Sequence, residues 1–496
     1  MISAPPMLDA TACYRAVRSR DRRFEGRFVL AVTSTRIYCR PGCPAKIPAR
    51  RNMRFLPSPA AAELAGFRPC RRCRPDTSPD SPAWIGSGAT VTRALRLIDE
   101  GALDQSGVDS LATRLGITAR HLRRLFLERL GAPTRAVALT RRAHLARQLV
   151  EQTDLPMPDV AQAAGFGSVR RFNGAFRRTF RCPPREFRGA RNGTRQSEGL
   201  ALKLPYHPPL DWDALLDFLA VRAIPGVEVV EKGCYRRTIR TSAGAGVLEV
   251  SRSPAGATLL MRITAPPGPG LDRIVRRVRR LFDLGADPGR IGHDLSCDPL
   301  LAPVVRAHPG LRVPGAWNGF ETAVRAVLGQ QVSVRGATTL AGRLVTRLGE
   351  AIPSAQQGLT HLFPEPSEVS RSDLSRLGVP QSRAKCLIHL AGAVERGSID
   401  LDHAVSLENA VAQLDALPGI GPWTAHYIAM RALGEPDAFP AGDLVLRRET
   451  GLSEAVLLSR SQSWRPWRAY ATIYLWRRHA DAAARAKRGK PGAIPR

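Results

Sequence analysis

A chain of 496 residues is long enough for three or four domains with cores of their own. Its 74 Lys and Arg against 43 Asp and Glu leave a formal charge of +31, so the expected partner is a polyanion; a membrane is disfavoured, because no run of about 20 apolar residues is present. Nine cysteines, four of them between Cys39 and Cys73, favour a reduced compartment and a metal site over a disulfide framework.

The opening stretch MISAPPMLDATACYRAVRSRD has no basic start followed by an apolar core, so no secretory signal is read there and the cytoplasm is the expected location. Residues 1–200 carry a net +20 and the remainder +11, so both halves are basic.

Residues 1–78 are expected to hold a metal. Cys39 and Cys43 form a C-x3-C pair, Cys70 and Cys73 a C-x2-C pair, and two close thiolate pairs are what tetrahedral zinc requires. Arg40, Arg68, Arg71, Arg72 and Arg74 lie among them and can grip phosphate. The strings FVLAVTSTRIYCRPGCPA and GFRPCRRCRPD resemble the N-terminal domain of Ada-type responders to DNA alkylation. That resemblance implies one structural zinc on Cys39, Cys43, Cys70 and Cys73, with Cys39 accepting a methyl group from a DNA methylphosphotriester. Zinc would keep the sulfur as the nucleophilic thiolate, and the thioether product implies a single turnover.

Residues 76–82, DTSPDSP, read as a linker, and residues 84–190 as two helix-turn-helix units. In the first, Ala112, Leu115, Gly116, Ile117, Leu122 and Leu125 have the spacing of two helices joined by a glycine turn; Val160, Ala161, Ala164, Gly165, Phe166, Val169, Phe172 and Phe176 repeat it. The second helix of each unit carries exposed charge: Arg120, Arg123 and Arg124, then Arg170, Arg171, Arg177 and Arg178. The pair resembles the AraC-type DNA-binding domain, which implies promoter contact through Arg124, Arg170 and Arg171 and recruitment of RNA polymerase.

Residues 186–200 form a second polar linker. From 200 to 312 alternating strands with glycine turns and the amphipathic LDRIVRRVRRLFDL predict an α+β domain; from 313 to 480 the pattern is helical; the Ala, Lys, Arg and Gly-rich residues 481–496 are expected to be disordered. The fold class is therefore multidomain, mainly α with α+β parts.

Within the helical region, Leu417-Pro418-Gly419-Ile420-Gly421 reads as a hairpin between two helices, whose glycines let backbone amides approach a phosphate. Asp443 follows Gly421 by 22 positions, beyond a loop with Pro436 and Pro440 that should return its carboxylate to the hairpin. The whole string LPGIGPWTAHYIAMRALGEPDAFPAGD resembles the helix-hairpin-helix and Gly/Pro-Asp signature of base-excision DNA glycosylases. With WNGFETAVRAVLGQQVSV and WRPWRAYATIYLW, it extends to AlkA-type 3-methyladenine DNA glycosylase II.

The resemblance implies that Gly419 and Gly421 hold DNA phosphate, with a monovalent cation at the hairpin. Trp423, Tyr427 and Trp476 would line a pocket for a flipped alkylated purine, or else belong to an aromatic core. Asp443 would stabilise the oxocarbenium-like sugar, or else simply cap the LVLRR helix. Gln331 occupies the wedge position, where an apolar residue is usual. Lyases of this kind carry a Schiff-base lysine where Trp423 stands, so a monofunctional hydrolase is expected. Past residue 300 only Cys386 remains, too few for an iron–sulfur cluster.

The reading is thus a fusion: a zinc methyl sensor and transcription activator ahead of an alkylpurine glycosylase, both acting on double-stranded DNA. The alternative is a regulator whose C-terminal half binds DNA without catalysis.

Overall fold

The computed structural model describes residues 9–488 except 22–23, 25, 71, 74, 76–86, 100, 104–105, 189–199, 243, 255, 265–269, 357 and 403–405. Arg71, Arg74 and most of both expected linkers therefore lie outside the described residues.

The chain opens with the helix Ala10–Arg18 and a four-stranded sheet in the order Met53–Leu56, Val29–Val32, Ile37–Cys39, Arg68–Pro69. The last two strands run parallel, and the Cys70 N–H donates to the Tyr38 carbonyl at 2.9 Å. Pairing of these two short strands brings Cys70 beside Cys39, thirty-one positions earlier in sequence. Ser58 caps the helix Pro59–Leu64 by accepting from the Ala61 N–H at 3.1 Å.

The two helix-turn-helix units are Val108–Arg114 with Ala119–Leu130, and Met157–Ala163 with Val169–Phe180, joined by the long helix Thr134–Gln152. Gly116 and Gly165 sit at the two turns with φ of +67° and +78°, a region closed to most side chains. Thr118 and Ser168 cap the second helix of each unit. Leu111, Leu122, Leu125 and Phe126 build the first core, with Val91, Ala94, Leu97 and Ile98 from the preceding helix Ser87–Asp99. Phe172, Phe176 and Phe180 build the second.

The N-terminal domain is seated on the long helix. Glu63 accepts from the Tyr38 hydroxyl at 2.9 Å and from the Thr140 hydroxyl at 2.7 Å, and lies 2.8 Å from His144 Nε2. The second unit in turn shares one core with the α+β domain that follows.

That domain is a five-stranded antiparallel sheet in the order Leu200–Pro205, Thr258–Thr264, Gly244–Arg252, Cys234–Thr241, Glu228–Glu231. Alternate residues Leu202 and Leu204, Leu248 and Val250, Leu259, Met261 and Ile263 are buried on one face, as a period of two requires. The helices Trp212–Ala220 and Leu271–Leu281 add Leu215, Leu219, Val275 and Val278 to this core. Arg237, buried in the sheet, reaches Glu321 at 2.8 Å on the helix Gly319–Leu328 and fastens the sheet to the helical domain.

The helical domain includes Gly319–Leu328, Val334–Leu348, Gln381–Glu395, Leu407–Asp415, Pro422–Arg431, Leu444–Thr450 and Arg468–Arg488. One short antiparallel pair, Ala351–Gln356 with Leu359–His361, interrupts the otherwise helical segment. It forms because Gly226 bridges Leu359 and the Thr238 hydroxyl donates to the His361 carbonyl at 2.7 Å, so the α+β domain templates it. The last helix continues to Arg488, which corrects the expectation of disorder from 481 onward; Ala-rich residues extend a helix already anchored by Tyr470, Tyr474 and Leu475. Residues 489–496 lie outside the described residues.

Candidate functional site

Leu417–Gly421 is a tight hairpin between the helices Leu407–Asp415 and Pro422–Arg431. Gly419 has φ of +89°, and a Cβ there would meet the Cys386 side chain at 3.0 Å, so two separate constraints demand glycine. Gly421 is the N-cap of the second helix and Pro422 its first residue, with no side-chain cap. The Gln330 amide donates to the Gly419 carbonyl at 2.8 Å and to the Thr424 hydroxyl at 3.1 Å, and Arg383 donates to the Gln330 carbonyl at 2.6 Å. These bonds tie the hairpin to Gln331, which is exposed with φ of +55° in the turn before Val334–Leu348. A left-handed glutamine on an exposed corner is a side chain presented outward at some conformational cost.

Asp443 begins the helix Leu444–Thr450 and is only 9% exposed. Its Oδ1 accepts from the backbone N–H of Val445 at 2.9 Å and Leu446 at 3.0 Å, and from Trp476 Nε1 at 3.1 Å. Its Oδ2 accepts from Trp423 Nε1 at 3.1 Å. Of the two readings that the sequence offers, the cap is present: Oδ1 caps the helix and also takes the Trp476 N–H, while Oδ2 takes the Trp423 N–H. A carboxylate fixed by four donors at a helix N-terminus is preorganised to face a developing cation.

Trp423 and Tyr427 stack with centroids 5.5 Å apart and planes at 20°, and Trp476 lies 6.3 Å from Tyr427. All three are half-buried, and Tyr427 and Trp476 pack against a core that contains the fully buried Phe439 and Tyr474. Phe218, which sequence reasoning missed, stacks on Trp476 at 6.3 Å and 15°. It comes from the α+β domain, on an amphipathic helix whose apolar pattern does not distinguish a wall from a core position.

Sequence reasoning also missed the arginines behind these rings. Arg431 donates to the Tyr427 hydroxyl at 2.9 Å, to the Gly315 carbonyl at 3.2 Å and to the Pro314 carbonyl. Arg222 lies over the Phe218 ring at 3.7 Å. Burial raises the Tyr427 phenol, but Arg431, Arg222 and Arg325 outweigh it and hold the group below its ordinary value.

At the other end of the chain, the sulfurs of Cys39, Cys43, Cys70 and Cys73 all lie within 4.8 Å of one another and are buried. A zinc–sulfur distance of about 2.3 Å separates tetrahedral sulfurs by about 3.8 Å, so the four residues fit a zinc ion. Four thiols so close cannot titrate independently: hydrogen bonding with Cys43 pushes Cys39 up, while hydrogen bonding with Cys39 pulls Cys43 down to about 7. Arg40 and Arg68 are half-buried beside the cluster and Arg72 is exposed. On the recognition helices Arg124, Arg170 and Arg171 are all exposed; Arg124 contacts His121 at 3.2 Å. The cysteine cluster, these arginines and the residues around Asp443 belong to different parts of the chain.

Three family models match separate stretches of the chain. Residues 12–76 match the metal binding domain of Ada, 111–190 a helix-turn-helix domain, and 201–318 the AlkA N-terminal domain. A probable bifunctional transcriptional activator/DNA repair enzyme AlkA of Mycobacterium tuberculosis is 44% identical over 478 residues, covering 94% of this chain and 96% of that protein. DNA-3-methyladenine glycosylase 2 of Escherichia coli is 35% identical over 277 residues, 55% of this chain and 95% of its own length. The bifunctional transcriptional activator/DNA repair enzyme Ada of Escherichia coli is 33% identical over 135 residues, 27% of this chain and 37% of its own.

Proposed function

Since the chain belongs to the family of bifunctional transcriptional activator and DNA repair enzymes of the AlkA type, we propose that it answers DNA alkylation twice, as sensor-activator and as glycosylase. The observation that carries the second activity is the convergence of Trp423 and Trp476 on the two oxygens of Asp443.

In the sensor, Cys39 Sγ attacks the methyl carbon of a DNA methylphosphotriester. A sulfur–carbon bond forms, the carbon–oxygen bond breaks, and the phosphate recovers its negative charge. A zinc ion held by Cys39, Cys43, Cys70 and Cys73 supplies one thing, stabilisation of the thiolate that does the attacking. Arg40 and Arg68 neutralise the phosphates on either side. The helix-turn-helix units then hold promoter DNA through Arg124, Arg170 and Arg171 and recruit RNA polymerase, in the cytoplasm.

In the glycosylase, the hairpin Leu417–Gly421 grips phosphate, with a monovalent cation at its backbone, while Gln331 fills the gap left by a flipped nucleotide. Trp423, Tyr427 and Trp476 stack on the N-alkylated purine, whose positive charge suits aromatic faces. The glycosidic electron pair leaves with the base, which becomes neutral; Asp443 Oδ2 faces the sugar cation until water adds at C1′ and releases a proton. No covalent intermediate or iron–sulfur cluster enters this scheme. We assign the sensor to residues 1–78, the activator to 84–190, the α+β module to 200–312 and the catalytic domain to 313–480.

Release of free 3-methyladenine from methylated duplex DNA by the purified protein, with one zinc per chain, is the expected result. A protein that binds this DNA and releases no base is the non-catalytic regulator instead.

A further inference from the structure

The loop that delivers Asp443 runs from Leu433 to Gly442 and carries two carboxylates, Glu435 and Asp437. Asp437 is paired inside its own domain, accepting from Arg468 at 2.7 and 3.0 Å. Glu435 is not. Its partner is Arg93, 342 residues earlier, whose Nε and terminal nitrogen donate to Oε1 at 3.1 Å and Oε2 at 3.0 Å.

The pair is a two-point fork, with side chains 14% and 4% exposed. Its geometry fixes direction as well as distance, and its burial removes it from the screening that makes exposed pairs nearly worthless. Among the described residues two other ion pairs, Arg114 with Asp400 at 3.7 Å and Arg27 with Asp287 at 3.6 Å, also link the regulatory half to the C-terminal half, but they are longer and more exposed.

Arg93 belongs to Ser87–Asp99, the helix that packs Val91, Ala94 and Leu97 against Leu122 and Phe126 of the first recognition helix. Glu435 is pinned at the other end: its N–H donates to the Ala429 carbonyl at 3.0 Å, and its carbonyl accepts from Ala438 at 3.2 Å. Downstream, the Ala469 N–H donates to the Pro436 carbonyl at 2.8 Å and the Asp443 N–H to the Pro440 carbonyl at 3.0 Å. Glu435 thus stands eight residues before the capping carboxylate, on a loop held by these bonds.

We propose that Arg93, a residue of the regulatory half, is a positioning residue for base excision: through Glu435 it holds the loop that sets Asp443 against the pocket. The inference rests on the glycosylase reading. It makes the helix-turn-helix region a structural part of the repair site.

The test uses the full chain and a duplex carrying one 3-methyladenine, under single-turnover conditions. Arg93→Ala should lower the saturating excision rate by about tenfold to a hundredfold, the range expected when a catalytic group shifts by a fraction of an ångström to one ångström. Duplex affinity and zinc content should stay at the wild-type level. The charge exchange Arg93→Glu with Glu435→Arg should recover most of the rate. Should Arg93→Ala fold poorly, Arg93→Lys keeps the charge without the fork and should show an intermediate rate at an unchanged melting temperature. Wild-type rates in Arg93→Ala or Arg93→Lys overturn the proposal alone, as does a loss that the charge exchange leaves unrepaired. A wild-type chain that releases no base overturns the glycosylase reading, and this inference with it.

Discussion

Trp423 donates its indole N–H to Asp443 Oδ2 at 3.1 Å, while the other oxygen of that carboxylate is taken up by helix capping and Trp476. The two indoles and the carboxylate are therefore one hydrogen-bonded unit, in which Oδ1 accepts three bonds and Oδ2 one.

Asp443→Asn separates the two duties. Asparagine caps a helix about as well as aspartate, but its Nδ2 donates and cannot accept the Trp423 N–H, so about 1–3 kcal/mol of stability should go, whereas loss of the negative charge proposed to face the sugar cation should cost about 10²–10³ in excision rate. Single-turnover assays beside duplex-binding titrations would read this directly. A folded, DNA-binding Asp443→Asn protein with a near wild-type rate would remove Asp443 from the chemistry.

With Trp423 at the position where a lyase carries its lysine, the product strand should be abasic and unbroken until heated or treated with alkali. Borohydride added during turnover should trap no protein–DNA adduct. A trapped species on a denaturing gel would contradict the monofunctional assignment.

Methylation of Cys39 should raise promoter affinity. Four thiolates around a dication leave two negative charges, and the methyl group removes one, so repulsion from DNA phosphate falls. The gain should be largest at low salt and shrink as salt rises. Equal binding of methylated and unmethylated protein at low salt would refute an electrostatic switch.

Acid should loosen the loop before Asp443. Burial, reinforced by the Arg468 cation, holds the His426 imidazole below its ordinary pKa, and its Nδ1 accepts the Phe439 N–H at 3.3 Å. As pH falls the unfolded chain takes up this proton first. The group's contribution is therefore intact above the ordinary histidine value of about 6.5 and is lost in the window beneath it. The melting temperature should drop between about pH 7 and about pH 5, and His426→Asn, which accepts the bond without titrating, should flatten part of that drop. An identical slope in the variant would exclude His426 as a contributor.

What the sequence determined by itself is local chemistry. The cysteine spacings and the turn glycines Gly116, Gly165 and Gly419 depend on backbone geometry and ligand reach over a few residues, so they can be read without a fold. The hairpin and Asp443 were legible for the same reason, and so was the alternation of the sheet.

Tertiary structure decided what stands across those signals. Nothing near Phe218 marks it as the ring that stacks on Trp476, since an apolar residue at helical spacing suits a core as well as a pocket wall. Nor does anything near Arg93 single it out among 74 basic residues as the partner of Glu435. Such pairs arise only when two faces pack, because burial turns an ordinary arginine and glutamate into a directed, unscreened contact, and burial is a property of the whole assembled chain.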